Sequence, residues 1–382
     1  MVKAIINANI VLERGIIWDG AILISESRIS DIQEAENKDI SKADEIIDAK
    51  GAYVGPGFID IHVHGGNGYL LFKEPLKAAD FFLMHGTTSI LAAPYYGLDY
   101  EALLEAFKTI KSAMVQSKNI KGIYCEGPYI NPNYGAESDL NPWRTPIDEN
   151  RFKALVDEAG TAVKVWTIAP EREGLFPFLS YARTVNPNVI FALGHSDATP
   201  EQIHALGKYK PKLLTHAMCA TGRRAVPRGT RGYGPDEYCL NQPEMYAELI
   251  SDSCGIHVNP TLQQVLLKAK GISRMVLISD SFVQNEQLPP PHLAHIHDLN
   301  FDYTGALDGS RLTLNVACRN IMRHTNCGIA QTFIMASTNP AHLLGMDDEI
   351  GSIEIGKIAD LVFTDDKFNI HKVMLGGDLY SF

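Results

Sequence analysis

Residues 57–66, Gly57-Phe58-Ile59-Asp60-Ile61-His62-Val63-His64-Gly65-Gly66, read as an apolar strand that stops in two histidines and two glycines. His62 and His64 stand two positions apart, and on a strand that spacing aims both side chains at one face. Two neutral imidazoles aimed inward can chelate Zn, Fe, Ni or Co. The glycine pair behind them lets a loop leave sharply. A bare His-x-His is common by chance, so its meaning depends on how the neighbouring apolar runs end.

They end alike. Further candidate strands are Thr88–Ala93, Gly122–Glu126, Ala162–Ala169, Val189–His195, Lys212–His216, Ala247–His257 and Arg274–Asp280. Helical patterns lie between most of them, at Tyr100–Ser117, Asp148–Ala159, Thr199–Tyr209 and Pro260–Lys270. Eight strands alternating with helices predict an α/β fold, a (β/α)8 TIM-like barrel, with a doubly wound sheet as the structural alternative. Glu126 closes the third strand, His195 the fifth, His216 the sixth, His257 the seventh and Asp280 the eighth. In a parallel barrel the carboxyl ends of all strands converge on one face, which carries the chemistry.

Each of these residues has a bland alternative as well. Glu126, in Cys125-Glu126-Gly127-Pro128, taken alone is a surface residue opening a loop. His195 runs into Thr199-Pro200-Glu201-Gln202, a helix cap with Pro in the first turn. Together Glu126, His195 and His216 make the ligand set of a catalytic zinc-type site with one position left for water. Asp280, ending Leu277-Ile278-Ser279-Asp280, is either a helix cap or the proton acceptor that metal-assisted hydrolysis needs. His257 is either a satisfied core histidine or a substrate contact. Arg223, Arg224, Arg228 and Arg231 crowd the loop after His216. Such a run is usually solvated, but arginine forks on an active face suit phosphate or carboxylate.

The two chain ends differ from the middle. Ala4–Leu12, Ile16–Ser25 and Arg28–Gln33 at the start read as strands, as do Ile353–Ile355, Ala359–Thr364 and Lys372–Leu375 at the end. One small β domain from residues 1–54 and 352–382, beside a barrel of residues 55–351, is the economical expectation. The length of 382 residues suits one large and one small domain. A formal net charge of -11 argues against nucleic-acid binding, though a few arginines in one cleft can reverse the local field. No CxxC pair occurs among the six cysteines, which favours free thiols. Neither a secretory signal nor an apolar run of the ~18 residues a membrane span needs is visible, so a soluble cytoplasmic protein is expected.

With these motifs on the page, the chain resembles the amidohydrolase superfamily and, within it, the N-acetylglucosamine-6-phosphate deacetylases. The resemblance runs through Pro56-Gly57-Phe58-Ile59-Asp60, Glu126-Gly127-Pro128, Thr167-Ile168-Ala169-Pro170-Glu171, Gly194-His195-Ser196-Asp197-Ala198-Thr199, Ser279-Asp280 and the tail from Gly351 to Val362. It covers nearly the whole chain. It implies a barrel with a small β-sandwich, in homodimers. It also implies a main divalent metal on Glu126, His195 and His216, with the His62 and His64 pair able to hold a second, so one or two ions per subunit. Zinc leads, with Fe, Ni, Co and Mn as alternatives. Asp280 matches the family's acid/base, and His257 its sugar contact.

The departures fall on the substrate side. Glu137, in Gly135-Ala136-Glu137, stands where the family has a histidine that polarises the acyl carbonyl. Cys219-Ala220 replaces an Asn-Ala pair whose backbone helps hold phosphate. The arginine that pairs with phosphate matches Arg228 or Arg231, and Phe282–Leu299 is unlike the family's loop. The expected activity is hydrolysis of an N-acyl amino sugar phosphate, with N-acetylglucosamine 6-phosphate leading. Another N-acyl amino sugar or N-acyl amino acid is one alternative, and a non-catalytic scaffold is the other. Cyclic-amide hydrolases that bridge two metals with a carboxylated lysine fit less well, because the fourth strand's lysine, Lys164, lies near its start.

Overall fold

The computed structural model describes residues 1–222, 229, 232–283 and 289–381. Eight parallel strands form the central sheet: Phe58–Val63, Thr87–Ala92, Ile120–Cys125, Val163–Ile168, Ile190–Leu193, Leu213–Leu214, Tyr246–Ile250 and Met275–Ile278. They pair in chain order, so the predicted barrel is the fold. Almost every residue in them is buried. Helices cover such strands outside and side chains fill the interior, so their sequences are apolar throughout rather than alternating.

The eighth strand meets the first without a regular ladder. That seam is closed at one end by Asp280 N donating to His62 O at 3.0 Å and His64 N donating to Ser281 O at 2.9 Å. Deeper in, Oδ1 of the fully buried Asp60 accepts from the backbone N–H groups of Ser279 and His62, each at 3.3 Å.

The helices start where side chains can satisfy their free N–H groups. Asp99 accepts from Ala102 N at 2.9 Å to open Tyr100–Gln116, and Asp148 accepts from Arg151 N at 2.8 Å to open Glu149–Ala159. Thr199 and Gln202 form the expected capping box ahead of Pro200–Ala205. Pro260–Lys270 begins on Asn259 and stops at Gly271, whose φ is +67°.

A second eight-stranded sheet comes from both chain ends: Val2–Leu12, Gly15–Ser25, Arg28–Gln33, Glu45–Asp48, Tyr53–Pro56, Leu361–Thr364, Ile370–Leu375 and Asp378–Ser381. Its strands share one hydrogen-bonded sheet around Ile5, Ile10, Ile22, Val54, Phe363 and Met374. Two expectations need correction. Ile353–Ile355 is not a strand, because Lys357 N turns back to Glu354 O and Gly356 sits at φ +94°. The seventh barrel strand ends at Ile250, not His257. The small sheet and the barrel share apolar packing. Phe58, Phe333 and Phe368 pack at tilted angles with centroid distances of 5.3–6.1 Å, with Val11, Val362 and Val373 in the same cluster.

Candidate metal centre

The strand-end residues meet as the sequence predicts. Nε2 of His195 lies 2.7 Å from Oε1 of Glu126, and Nε2 of His216 lies 3.0 Å from that same oxygen. The two imidazole nitrogens are 3.1 Å apart. Two donors about 2.0–2.1 Å from one tetrahedral ion stand roughly 3.3 Å apart, so this triangle has nearly the edge lengths of a metal's coordination shell. A second group shares the carboxylate: Nε2 of His64 is 3.3 Å from Oε2 of Glu126, and Nε2 of His62 is 3.7 Å from Oε1. Asp280 faces this group, with Oδ1 3.2 Å from His64 Nε2 and 3.7 Å from His62 Nε2.

All six side chains are buried. Nε2 of His62 points into the cluster without a hydrogen bond. Four imidazoles and two carboxylates, with the His62 Nε2 among them unpartnered, fit a divalent cation better than they fit each other. The protonation balance agrees. Burial pushes the Glu126 carboxyl up, but His195 and His62 beside it hold it well below the usual range. Burial likewise opposes ionisation of Asp280, and His62 and His64 outweigh it. Burial disfavours a charged His64, yet Asp280 and Glu126 bring it to about 9. His195 goes the other way, lowered by burial. The cluster gathers negative charge that protons or a cation must balance.

Outer partners orient the rings. Nδ1 of His64 is 2.9 Å from Ala93 O, and Nδ1 of His62 is 3.2 Å from Oε2 of Glu248, which turns both Nε2 atoms inward. His62 also stacks on Tyr124 at 4.2 Å. His195 packs edge-on to Tyr96 at 5.1 Å and to His216 at 4.7 Å. His195, His216 and Asp280 all hold positive φ, at 45°, 27° and 48°. Non-glycine residues adopt that region at a cost, and such outliers cluster at functional sites.

The centre forms the floor of a cavity of about 400 Å³. Cys219, Ala220 and His257 line it, as do Tyr95, Tyr96 and Phe282. His257 reaches it from the loop beyond the seventh strand. Asp252 fixes it there through Nδ1 at 3.1 Å, and Nε2 lies 3.1 Å from Gly309 O. Cys219 Sγ donates to His257 O at 3.3 Å, and burial pushes its thiol up. Gly135 and Ala136 line the cavity, whereas Glu137 does not; its backbone N donates to Asp302 Oδ2 at 3.1 Å. Arg228 and Arg231 fall outside the described residues. Sequence reasoning missed Glu248, Asp252 and Tyr96. A charged residue inside the apolar strand Tyr246-Ala247-Glu248-Leu249-Ile250 was the available signal for the first.

Known proteins agree with this architecture. The amidohydrolase family matches residues 53–380. The N-acetylglucosamine-6-phosphate deacetylase of Bacillus subtilis is 29% identical over 374 residues, covering 92% of this chain and 90% of that protein. The N-acetylgalactosamine-6-phosphate deacetylase of Escherichia coli is also 29% identical, over 343 residues and 86% and 87% of the two chains. The crystal structure of N-acetylglucosamine-6-phosphate deacetylase from Pasteurella multocida superposes with a TM-score of 0.85 at 23% identity, over 100% of both chains.

Proposed function

This chain belongs to the amidohydrolase family, and from that membership we propose that it deacetylates an amino sugar phosphate, converting N-acetylglucosamine 6-phosphate to glucosamine 6-phosphate and acetate. The observation that carries the reading is the shared carboxylate: Glu126 presents one oxygen to His195 and His216 and the other to His64, with Asp280 alongside. That arrangement suits metal-assisted hydrolysis, and the Bacillus subtilis relative of near-equal length is named for this deacetylation.

Glu126, His195 and His216 would hold the main ion, and His62 and His64 with Glu126 a second. What a bound divalent ion supplies there is Lewis acidity, acidifying water towards a pKa of ~7 and polarising a carbonyl. Asp280 does the proton work. Its Oδ1 takes a proton from the attacking water and returns it to the nitrogen as the amide C–N bond breaks. His257, fixed by Asp252, contacts the sugar. Cys219 and Ala220 line the anionic end, with Arg228 or Arg231 pairing to phosphate. Zinc is the proposed metal, the homodimer the proposed assembly and the cytoplasm the proposed location. Among the described residues no helix is long and apolar enough to cross a membrane. Residues 1–54 with 352–382, and residues 55–351, are the proposed domains.

The galactosamine epimer is the second reading, favoured by the Escherichia coli relative, which is 29% identical over a shorter 86% of the chain. Amine release by metal-loaded protein separates the two. Turnover of N-acetylglucosamine 6-phosphate well above its galactosamine epimer and the unphosphorylated sugar supports the first reading. A preference for the epimer supports the second, and inactivity on all three overturns both.

A further inference from the structure

Glu248 is fully buried in the seventh barrel strand, between Ala247 and Leu249. A carboxylate in such a place is costly unless firm hydrogen bonds hold it. Its Oε2 has two partners, one in the first barrel strand and one just past the end of the sixth. Nδ1 of His62 lies 3.2 Å away, and the backbone N–H of His216 donates at 2.9 Å. The first contact fixes the His62 ring so that Nε2 faces the cluster. The second holds the His216 backbone, whose φ of 27° is otherwise unfavourable. His62 belongs to one potential ligand group and His216 to the other.

We propose that Glu248 is a positioning residue that sets a ligand of each metal group through one carboxylate oxygen. It touches neither ion nor substrate. Its influence runs through the His62 ring and the His216 main chain, so both groups respond when it is altered. Glu126 is shared by both groups and would couple them directly, whereas Glu248 couples them from behind. Glu248→Gln keeps an acceptor oxygen and loses the charge. Glu248→Ala loses the acceptor.

The inference rests on the metal reading above, and the test separates the two. Apo wild-type, Glu248→Gln and Glu248→Ala proteins are titrated with cobalt(II) against a competing chelator, recording affinity and the visible d–d spectrum. Circular dichroism reports folding. Folded Glu248→Ala is expected to bind about 10–100-fold more weakly with an altered spectrum, as altered outer partners of metal-bound histidines typically do. Glu248→Gln is expected to recover the wild-type spectrum with part of the affinity. Unchanged affinity and spectrum in folded Glu248→Ala overturn the proposal. If that variant does not fold, Glu248→Gln decides, with weakened binding expected and wild-type affinity overturning it. Wild-type protein that takes up no cobalt overturns the metal reading and this inference together.

Discussion

Nε2 of His64 lies 3.2 Å from Oδ1 of Asp280, across the seam where the last barrel strand meets the first. A group that accepts a proton and later returns it must sit beside the reacting centre, and this contact puts Asp280 there. Asp280→Asn keeps the shape and removes the basic oxygen. Its kcat is expected to fall by about 10²–10⁴-fold with metal content unchanged. Parallel turnover and metal analysis check this, and retained turnover would sink the proton-transfer role.

The Glu126–His195–His216 triangle predicts that activity follows occupancy. Chelation should abolish turnover, and one divalent metal should restore it. His216→Ala should stay inactive by on the order of 10³-fold even with metal in excess. The metal should also raise the thermal midpoint, contributing about 2.7 kcal/mol at a hundredfold excess over Kd. A chelated protein with full activity would contradict the assignment.

Asp252 gives an acid-stability signature. Burial raises its carboxyl, but the His257 ring and the N–H groups of Ile256 and His257 outweigh this and bring it to about 2. The folded value lies below the unfolded one of about 3.9, so the stabilisation is present above pH 4 and is lost as pH falls towards 2. Asp252→Asn should therefore cost about 1–2 kcal/mol near neutrality, after allowance for solvent screening, and much less at pH 2. Urea midpoints of both proteins at the two pH values test this; a constant difference would refute it.

Gly135 cannot carry a side chain. Its φ is +97°, and a Cβ there would lie 2.4 Å from the Tyr96 hydroxyl and 3.0 Å from Nδ1 of His195. Gly135→Ala should cost about 1–3 kcal/mol and weaken metal binding by moving His195. Gly207→Ala is the control: φ is +55° but nothing lies within 4 Å of the added carbon. Equal melting points and metal affinities for the two variants would show that the contact does not matter.

The buried His and carboxylate cluster was readable because barrel strands are buried on both faces. A histidine or carboxylate ending an apolar run stands out there, as His62, His64, Glu126 and Asp280 do. Glu248 gave a weaker signal, a lone charge inside an apolar run, which says nothing of what it holds. It lies inside a strand, and its partners are 186 and 32 positions away. His257 was legible as a residue but not by position, because the Asp252 turn, not the strand, brings it in. The hairpin of Leu299–Phe301 and Leu307–Ser310 escaped notice too. Its strands are only three and four residues long, and it docks through Asp302 on the backbone of Glu137, a contact with no local pattern.

The seam has a further consequence. The His62 carbonyl and the Asp280 amide that close the barrel belong to residues of the candidate metal centre, so stitching the cylinder shut and assembling the cluster are one act. An ion held there would work as a rivet. On its removal the chain is expected to loosen first along its own join, read as faster amide exchange at Asp280 and His64.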